Sequence, residues 1–181
     1  MKSAAEQAQE ATKWWRGLQP YFSNGYRNPQ ADRGALAHLR RADLLEAMQE
    51  PQTFALFTSL GMRRPEELPN AALCAAVLAN VREDRPEHPA RTLGPPSSSL
   101  IEQAIMKPLR FRRLIEADTP QARLDGLRRA VQLGNRALNV RELALACLDW
   151  SEERRQRWIF EYYNAGFAAP MAEPVCEEAR G

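Results

Sequence analysis

Apolar residues along this chain recur every three or four positions, and no stretch alternates with the two-residue period of a β-strand. Leu73, Val77 and Val81 show this spacing, as do Leu124 and Leu127. Such a spacing places side chains on one face of an α-helix, whereas a strand places every second residue on one face. Val and Ile are sparse while Ala and Leu are abundant, which also favours helices. The sequence therefore predicts an all-α fold.

Capping residues indicate where several helices begin in the first half. A first helix is predicted over residues 3–18, ahead of a loop rich in Pro and Gly. Asp43 followed by Glu46 has the pattern of a capping box, and Pro51 is expected to end the short helix that starts there. Asn70 is interpreted as the cap of the helix that carries Leu73.

Prolines mark helix starts in the second half. Residues 100–106 are predicted to be helical, and Pro108 suits the first turn of the next helix. Thr119 is expected to cap a helix whose first residue is Pro120, and Ser151 to cap the last one. About eight to nine helices are expected in the whole chain.

A segment rich in Pro, Gly and Ser interrupts the helical pattern near the middle of the chain. It spans residues 83–99 and is predicted to be a loop connecting two small helical bundles. The N-terminal half would cover residues 1–82 and the basic C-terminal half residues 100–165. Residues 166–181 are acidic and contain prolines, so a disordered, dispensable tail is expected.

Several functional classes are disfavoured by what the sequence lacks. No apolar run approaches the ~20 residues of a membrane span, and the N-terminus has no secretory signal, so a cytoplasmic protein is expected. Cys74, Cys147 and Cys176 have no metal-ligand spacing. No cofactor or metal is predicted.

Catalytic patterns are also missing from the sequence. A catalytic site needs a nucleophile with a base, a metal cluster or a tuned pair of carboxylates, and none has a recognisable spacing. His38, one of two histidines, is interpreted as a surface or partly packed residue of a helix. The chain is therefore predicted not to be an enzyme.

Basic residues are concentrated in the second half. Residues 101–141 contain nine Lys or Arg against four Asp or Glu. Arg110 and Arg113 lie three residues apart and share a helical face, and Arg128 and Arg129 follow in the next helix. Either a solvated charged face or a phosphate-binding surface would look like this, and the shortage of nearby acids favours phosphate contact. Arg112 precedes Glu116 by four residues, a spacing that allows an ion pair.

Six aromatic residues raise the question of base stacking. They have helical spacing beside other apolar residues, so burial in the core is the favoured interpretation. They are Trp14, Trp15, Trp150, Trp158, Tyr162 and Tyr163.

The order of the Arg-rich motifs resembles that of a known family. The motifs are Trp15 to Leu18, Asp32 to Ala42, Arg110 to Ala117, Leu127 to Ala130, Leu148 to Trp150 and Arg154 to Trp158. Over roughly residues 12–165 this order is similar to the CasB family, the small subunit of the type I-E CRISPR complex called Cascade.

This resemblance implies a non-catalytic helical subunit of a ribonucleoprotein complex in antiviral defence. Two copies would lie side by side and meet the backbone subunits that coat the guide RNA. Their basic surfaces would steady the duplex of guide RNA and target DNA and the displaced strand. By motif position the resemblance assigns nucleic-acid contact to Arg40, Arg41, Arg110, Arg113, Arg128 and Arg129.

Two other functional classes remain open at this level. A helical adaptor would use the same Arg clusters to bind only acidic protein partners. A small helical hydrolase or nuclease would require a carboxylate or His cluster. No motif indicates the copy number in the complex, the oligomeric state of the isolated chain or the surface that faces protein.

Overall fold

A computed structural model describes residues 2–97 and 99–164, which form an all-α fold and contain no β-strand. The predicted tail, residues 166–181, and Cys176 lie outside the described residues. The helices are α1 (Ala4–Leu18), α2 (Arg33–Arg41), α3 (Leu44–Met48), α4 (Pro51–Ser59), α5 (Leu68–Leu78), α6 (Pro89–Leu93), α7 (Pro108–Ile115), α8 (Pro120–Leu133), α9 (Val140–Leu148) and α10 (Glu152–Tyr162).

Most of the predicted helix starts are confirmed by side-chain caps. Asp43 and Glu46 form the predicted capping box at α3, with each side chain bonded to the backbone N–H of the other. The Thr119 side chain caps α8 and that of Ser151 caps α10. These polar side chains satisfy N–H groups that have no partner within the helix.

One predicted helix start in the first half is wrong. The short helix α3 ends at Met48, ahead of Pro51 as expected, and Pro51 is also the first residue of α4, a position where a proline needs no N–H partner. Asn70 does not cap α5, which already starts at Leu68 after a 3₁₀ turn at Pro65–Glu67. The Asn70 side chain instead accepts a hydrogen bond from Arg123 of α8 at 3.0 Å.

Two predictions around the middle segment also need correction. Residues 83–99 include α6, which His88 caps by accepting a hydrogen bond from the Ala90 N–H. Residues 100–106 contain only a 3₁₀ turn at Ile101–Gln103. The Met106 N–H bonds to the Leu93 carbonyl rather than continuing a helix, so a tertiary contact overrides the local preference.

Helix α5 lies at the centre of the fold. Every residue from Ala71 to Leu78 is buried, so this helix is apolar on all sides. It packs against α3, α4, α8 and α9. Because α3 and α4 precede residues 83–99 while α8 and α9 follow them, the two predicted halves share one buried cluster. The boundary between the halves stays a prediction.

Helix α10 packs across α6 and α7 at one end of this core. The ring of Tyr162 stacks on Phe111, with centroids 3.8 Å apart, and its hydroxyl donates to the Met106 carbonyl at 2.6 Å. Burial raises the pKa of Tyr162 to about 12.

Among the helices of residues 2–97 and 99–164, none combines the length and the apolar character that a membrane span requires.

Candidate nucleic-acid interface

The six predicted arginines differ in how they meet solvent. Arg41, Arg110, Arg113 and Arg129 are exposed, whereas Arg40 and Arg128 are partly buried. They are spread over three helices: α2, α7 and α8.

Helix α7 is oriented by its apolar side. Phe111 and Leu114 are buried, and the Leu114 side chain packs directly against Gly126 of α8. The apolar side of α7 therefore packs on α8. Arg110 and Arg113 are left exposed to solvent, as their spacing predicted.

The exposed arginines of this set have no acidic partner among the described residues. No carboxylate of residues 2–97 or 99–164 forms an ion pair with Arg41, Arg110, Arg113 or Arg129. The pair of Arg112 with Glu116 that the spacing allowed does not form either. An unpaired exposed guanidinium retains all its donors for an external anion.

The Arg128 side chain is used in hydrogen bonds within the protein. Its guanidinium donates to the carbonyls of Leu39 and Ala42, at 2.7 and 2.5 Å. These carbonyls lie at the C-terminal end of α2, where the last turn lacks intrahelical N–H partners. Burial lowers the pKa of Arg128, although the group stays charged. The side chain thus joins α8 to α2.

Arg40 belongs to a group of three arginines that no sequence pattern predicted to be neighbours in the fold. Its Nε donates to the Ala79 carbonyl at 2.7 Å, which fixes the guanidinium. Burial lowers the pKa of Arg40 first, and the positive charges of Arg82 and Arg136 lower it further. We call Arg40, Arg82 and Arg136 the arginine triad.

A turn in left-handed backbone conformation assembles this triad. Helix α8 ends at Leu133, and Asn135 and Arg136 have φ angles of 55° and 60°. The Arg136 carbonyl then accepts from the backbone N–H groups of Arg82 and Glu83, at 2.8 and 3.2 Å. A left-handed conformation at a non-Gly residue is uncommon; Asn is one of the residue types that tolerate it, whereas Arg136 has no such preference.

Beside the triad a cleft of about 1000 Å³ opens between the end of α1, the following loop and α2. Arg16, Arg33, Arg40 and Arg82 line it together with Tyr21 and Phe22. Tyr21 and Phe22 are not among the six aromatic residues considered for base stacking from the sequence.

Burial was expected for those six aromatic residues. Trp15, Trp158 and Tyr162 are buried, and Trp14 and Trp150 are partly buried against the core. Tyr163 is 38% exposed, so the expectation is wrong for this residue.

The described residues include no group of three or more His, Cys, Asp or Glu side chains able to hold a metal ion. His38 is exposed, and its Nδ1 lies 2.5 Å from a carboxylate oxygen of Glu50. Cys74 and Cys147 are buried free cysteines, and burial raises the pKa of the Cys147 thiol. A buried thiol of raised pKa is a poor nucleophile.

Comparison with known proteins gives two findings. A sequence profile of the CRISPR-associated protein Cse2 matches residues 35–163. The fold is similar to that of a chain in the crystal structure of E. coli Cascade bound to a PAM-containing double-stranded DNA target. The TM-score is 0.58 at 20% sequence identity, and the match covers 87% of this chain and 96% of the other. No curated protein sequence matched.

Proposed function

Because this chain belongs to the family of the CRISPR-associated protein Cse2, also called CasB, we propose that it is a non-catalytic, nucleic-acid-binding small subunit of a type I-E Cascade complex. The similarity in fold to a chain of E. coli Cascade supports this proposal. The E. coli complex was crystallised on a double-stranded DNA target.

The observation that carries the proposal is the set of exposed arginines without acidic partners on α2, α7 and α8. Guanidinium groups bind phosphate oxygens through fixed pairs of N–H donors. Such contacts hold a nucleic-acid backbone without reading its sequence. In an RNA-guided complex, sequence is read by base pairing with the guide, so a subunit of this kind needs only backbone contacts.

The proposed contact set is Arg40, Arg41, Arg110, Arg113 and Arg129. Arg128 is left out because its guanidinium already serves two carbonyls of α2. The proposed ligands are the guide RNA, the target DNA and its displaced strand. The proposed protein partners are the guide-coating backbone subunits and a second copy of this chain.

Changing Arg110 and Arg129 together to Ala is expected to weaken nucleic-acid binding equally for all sequences. Each lost phosphate contact should lower the magnitude of the log–log salt slope by about 0.7 to 0.9, because fewer counterions are released. The measurement is nucleic-acid affinity of the full chain, or target affinity of the reconstituted complex, across a salt series.

A matched control removes the same charge at basic residues that already have acidic partners and lie outside the proposed contacts. Arg64 pairs with Glu66 and Glu67 at 3.5 Å, and Lys13 pairs with Glu10 at 3.0 Å. The double change Arg64→Ala with Lys13→Ala should leave the salt slope nearly unchanged. Equal effects of both double variants would mean that net charge alone, and not this surface, sets the affinity.

A helical adaptor that binds only protein remains the second candidate, because acidic protein surfaces would also suit unpaired arginines. The two functions differ in their response to nucleic acid. If partner subunits bind normally while the parent chain, free or assembled, has no salt-dependent affinity for nucleic acid, the adaptor function is the correct one. An Arg110→Ala/Arg129→Ala variant that binds nucleic acid like the parent at every salt concentration would exclude these two arginines as contacts.

We expect no nuclease or nucleotide hydrolysis activity with Mg²⁺, Mn²⁺ or Zn²⁺. The reason is that the described residues offer no carboxylate or His cluster of the kind that metal-dependent hydrolysis uses. Purified chain is incubated with single-stranded, duplex and RNA substrates. Turnover that co-purifies with the chain and disappears when one of its own carboxylates is changed would contradict the non-catalytic assignment.

A further inference from the structure

We infer that the cleft between α1, residues 20–28 and α2 binds an unpaired stretch of nucleic acid, with phosphates at Arg40 and Arg82 and bases stacked on Tyr21 and Phe22. The inference rests on the nucleic-acid-binding function proposed above. It adds a specific site that discriminates unpaired from paired strands.

Residues 20–28 form a small hairpin rather than an irregular loop. Tyr21 pairs with Arg27 in an antiparallel bridge, and the Phe22 N–H bonds to the Tyr26 carbonyl at 2.8 Å. Gly25 closes the turn with a φ of 83°, a conformation that favours glycine. Asn28 is buried and holds the base of the hairpin, since its side-chain amide donates to the carbonyls of Gly17 and Gln19 at 2.8 and 2.9 Å.

This ordered hairpin leaves its three aromatic side chains in solvent. Tyr21 is 57% exposed, Phe22 46% and Tyr26 73%. A hairpin held by backbone hydrogen bonds has no need of exposed aromatic rings, and adjacent exposed rings are typical of binding surfaces. Tyr21 and Phe22 line the cleft, whereas Tyr26 does not.

The charges of the cleft favour an anionic ligand. Its two carboxylates are already engaged, since Asp84 lies 3.6 Å from Arg16 and Glu83 lies 2.9 Å from Arg85. Arg33, Arg40 and Arg82 therefore have no ion-pair partner among the described residues.

The arginine triad strengthens this argument. The charges of Arg82 and Arg136 act on Arg40, whose guanidinium the Ala79 carbonyl fixes in place. Like charges held close together repel each other, and a bound phosphate group removes the repulsion. A backbone phosphate is therefore the favoured occupant of this end of the cleft.

Aromatic rings beside a row of cations are the combination that binds single strands. Unpaired bases expose their faces and stack on Tyr or Phe, while the cations follow the phosphates. In a duplex the base faces are already stacked on their neighbours, so Tyr21 and Phe22 would gain nothing from it. An acidic peptide would satisfy the arginines but would not need the two rings.

The test compares the full-length protein with the double variant Tyr21→Ala/Phe22→Ala. Its probes are a labelled oligothymidylate of about twelve nucleotides, an abasic strand with the same number of phosphates, and a duplex. The variant should bind the oligothymidylate at least about fivefold more weakly, the loss of one stacked base. Its affinity for the abasic strand and its salt slope should not change.

Two further variants control this result. Tyr26→Ala removes a more exposed ring of the same hairpin outside the cleft, so it should bind like the parent. Arg82→Ala removes a phosphate contact, so it should weaken both strands and lower the salt slope by about 0.7. Circular dichroism verifies that each variant is folded.

Three outcomes would overturn the inference. In the first, the parent and the double aromatic variant bind oligothymidylate equally well. In the second, Tyr26→Ala weakens oligothymidylate binding as much as the double aromatic variant does. In the third, the double aromatic variant loses as much affinity for the abasic strand as for oligothymidylate. If salt-dependent binding through Arg110 and Arg129 persists in those cases, the proposed function stands without this site. If no probe binds the parent at all, the proposed function fails as well.

Discussion

Replacing Gly94 by Ala is expected to lower the free energy of unfolding by about 3 kcal/mol or more. Gly94 ends α6 where this helix meets α10, and a Cβ atom there would lie 2.1 Å from the backbone carbonyl oxygen of Tyr162. It would also lie 3.1 Å from the carbonyl oxygen of Ala90. Because both neighbours are backbone atoms, no side-chain rotation relieves the clash, and α10 must shift away from α6.

The matched control for this prediction is Gly17→Ala. Gly17 lies in the last turn of α1, and no heavy atom approaches within 4 Å of the position of its Cβ. Alanine has a higher helix propensity, so this change should raise the free energy of unfolding by up to about 1 kcal/mol. Chemical denaturation of the three proteins measures both effects. A Gly94→Ala protein as stable as the parent would contradict the close packing of α6 on α10.

Acid is expected to destabilise the protein through His88 before most carboxylates titrate. The His88 side chain is 9% exposed, its ring meets Trp158 edge-on with centroids 5.4 Å apart, and its Nδ1 accepts the α6 cap hydrogen bond from Ala90. Burial lowers the pKa of His88 to about 4. The charged groups that act on it are Glu161, Arg157, Arg91 and Arg154, and Glu142 Oε2 lies 3.7 Å from its Nε2.

The direction of the effect follows from the two pKa values. In the unfolded chain His88 titrates near 6.5, so between about pH 6.5 and 4 the unfolded state binds the proton and the folded state does not. The contribution of neutral His88 to the free energy of unfolding is therefore fully present above pH 6.5 and is lost as the pH falls towards 4. By pH 5 the expected loss is about 2 kcal/mol.

The variant His88→Asn tests this prediction. Asn has a side-chain oxygen that caps a helix but does not titrate, so α6 keeps its cap. We expect lower stability at pH 7, because the contact with Trp158 is reduced, but a flatter loss of stability between pH 7 and 5. Urea unfolding at closely spaced pH values measures the slope. Parallel pH profiles of the parent and the variant would mean that His88 is not the responsible group.

In the candidate interface, the surroundings of some arginines could be predicted from the sequence and those of others could not. The exposure of Arg110 and Arg113 was predictable, because within one helix they share a different face from the buried Phe111 and Leu114. Arg128 was not predictable, because its acceptors, the carbonyls of Leu39 and Ala42, lie far away in the sequence. Arg128 and Arg129 therefore differ for two reasons: the helical period places Arg128 closer to the apolar side of α8, and a tertiary contact then joins it to α2.

The helical fold class, most helix starts and the basic character of α7 and α8 were predictable without the structure. These features depend on local spacing, capping side chains and composition, which act within a few residues. Long-range packing was needed for α6 to form within residues 83–99, for Met106 to bond to Leu93 instead of continuing a helix, and for the charges of Arg82 and Arg136 to act on Arg40. Burial and long-range hydrogen bonds have these effects because they outweigh local preferences of about a few tenths of a kcal/mol per residue.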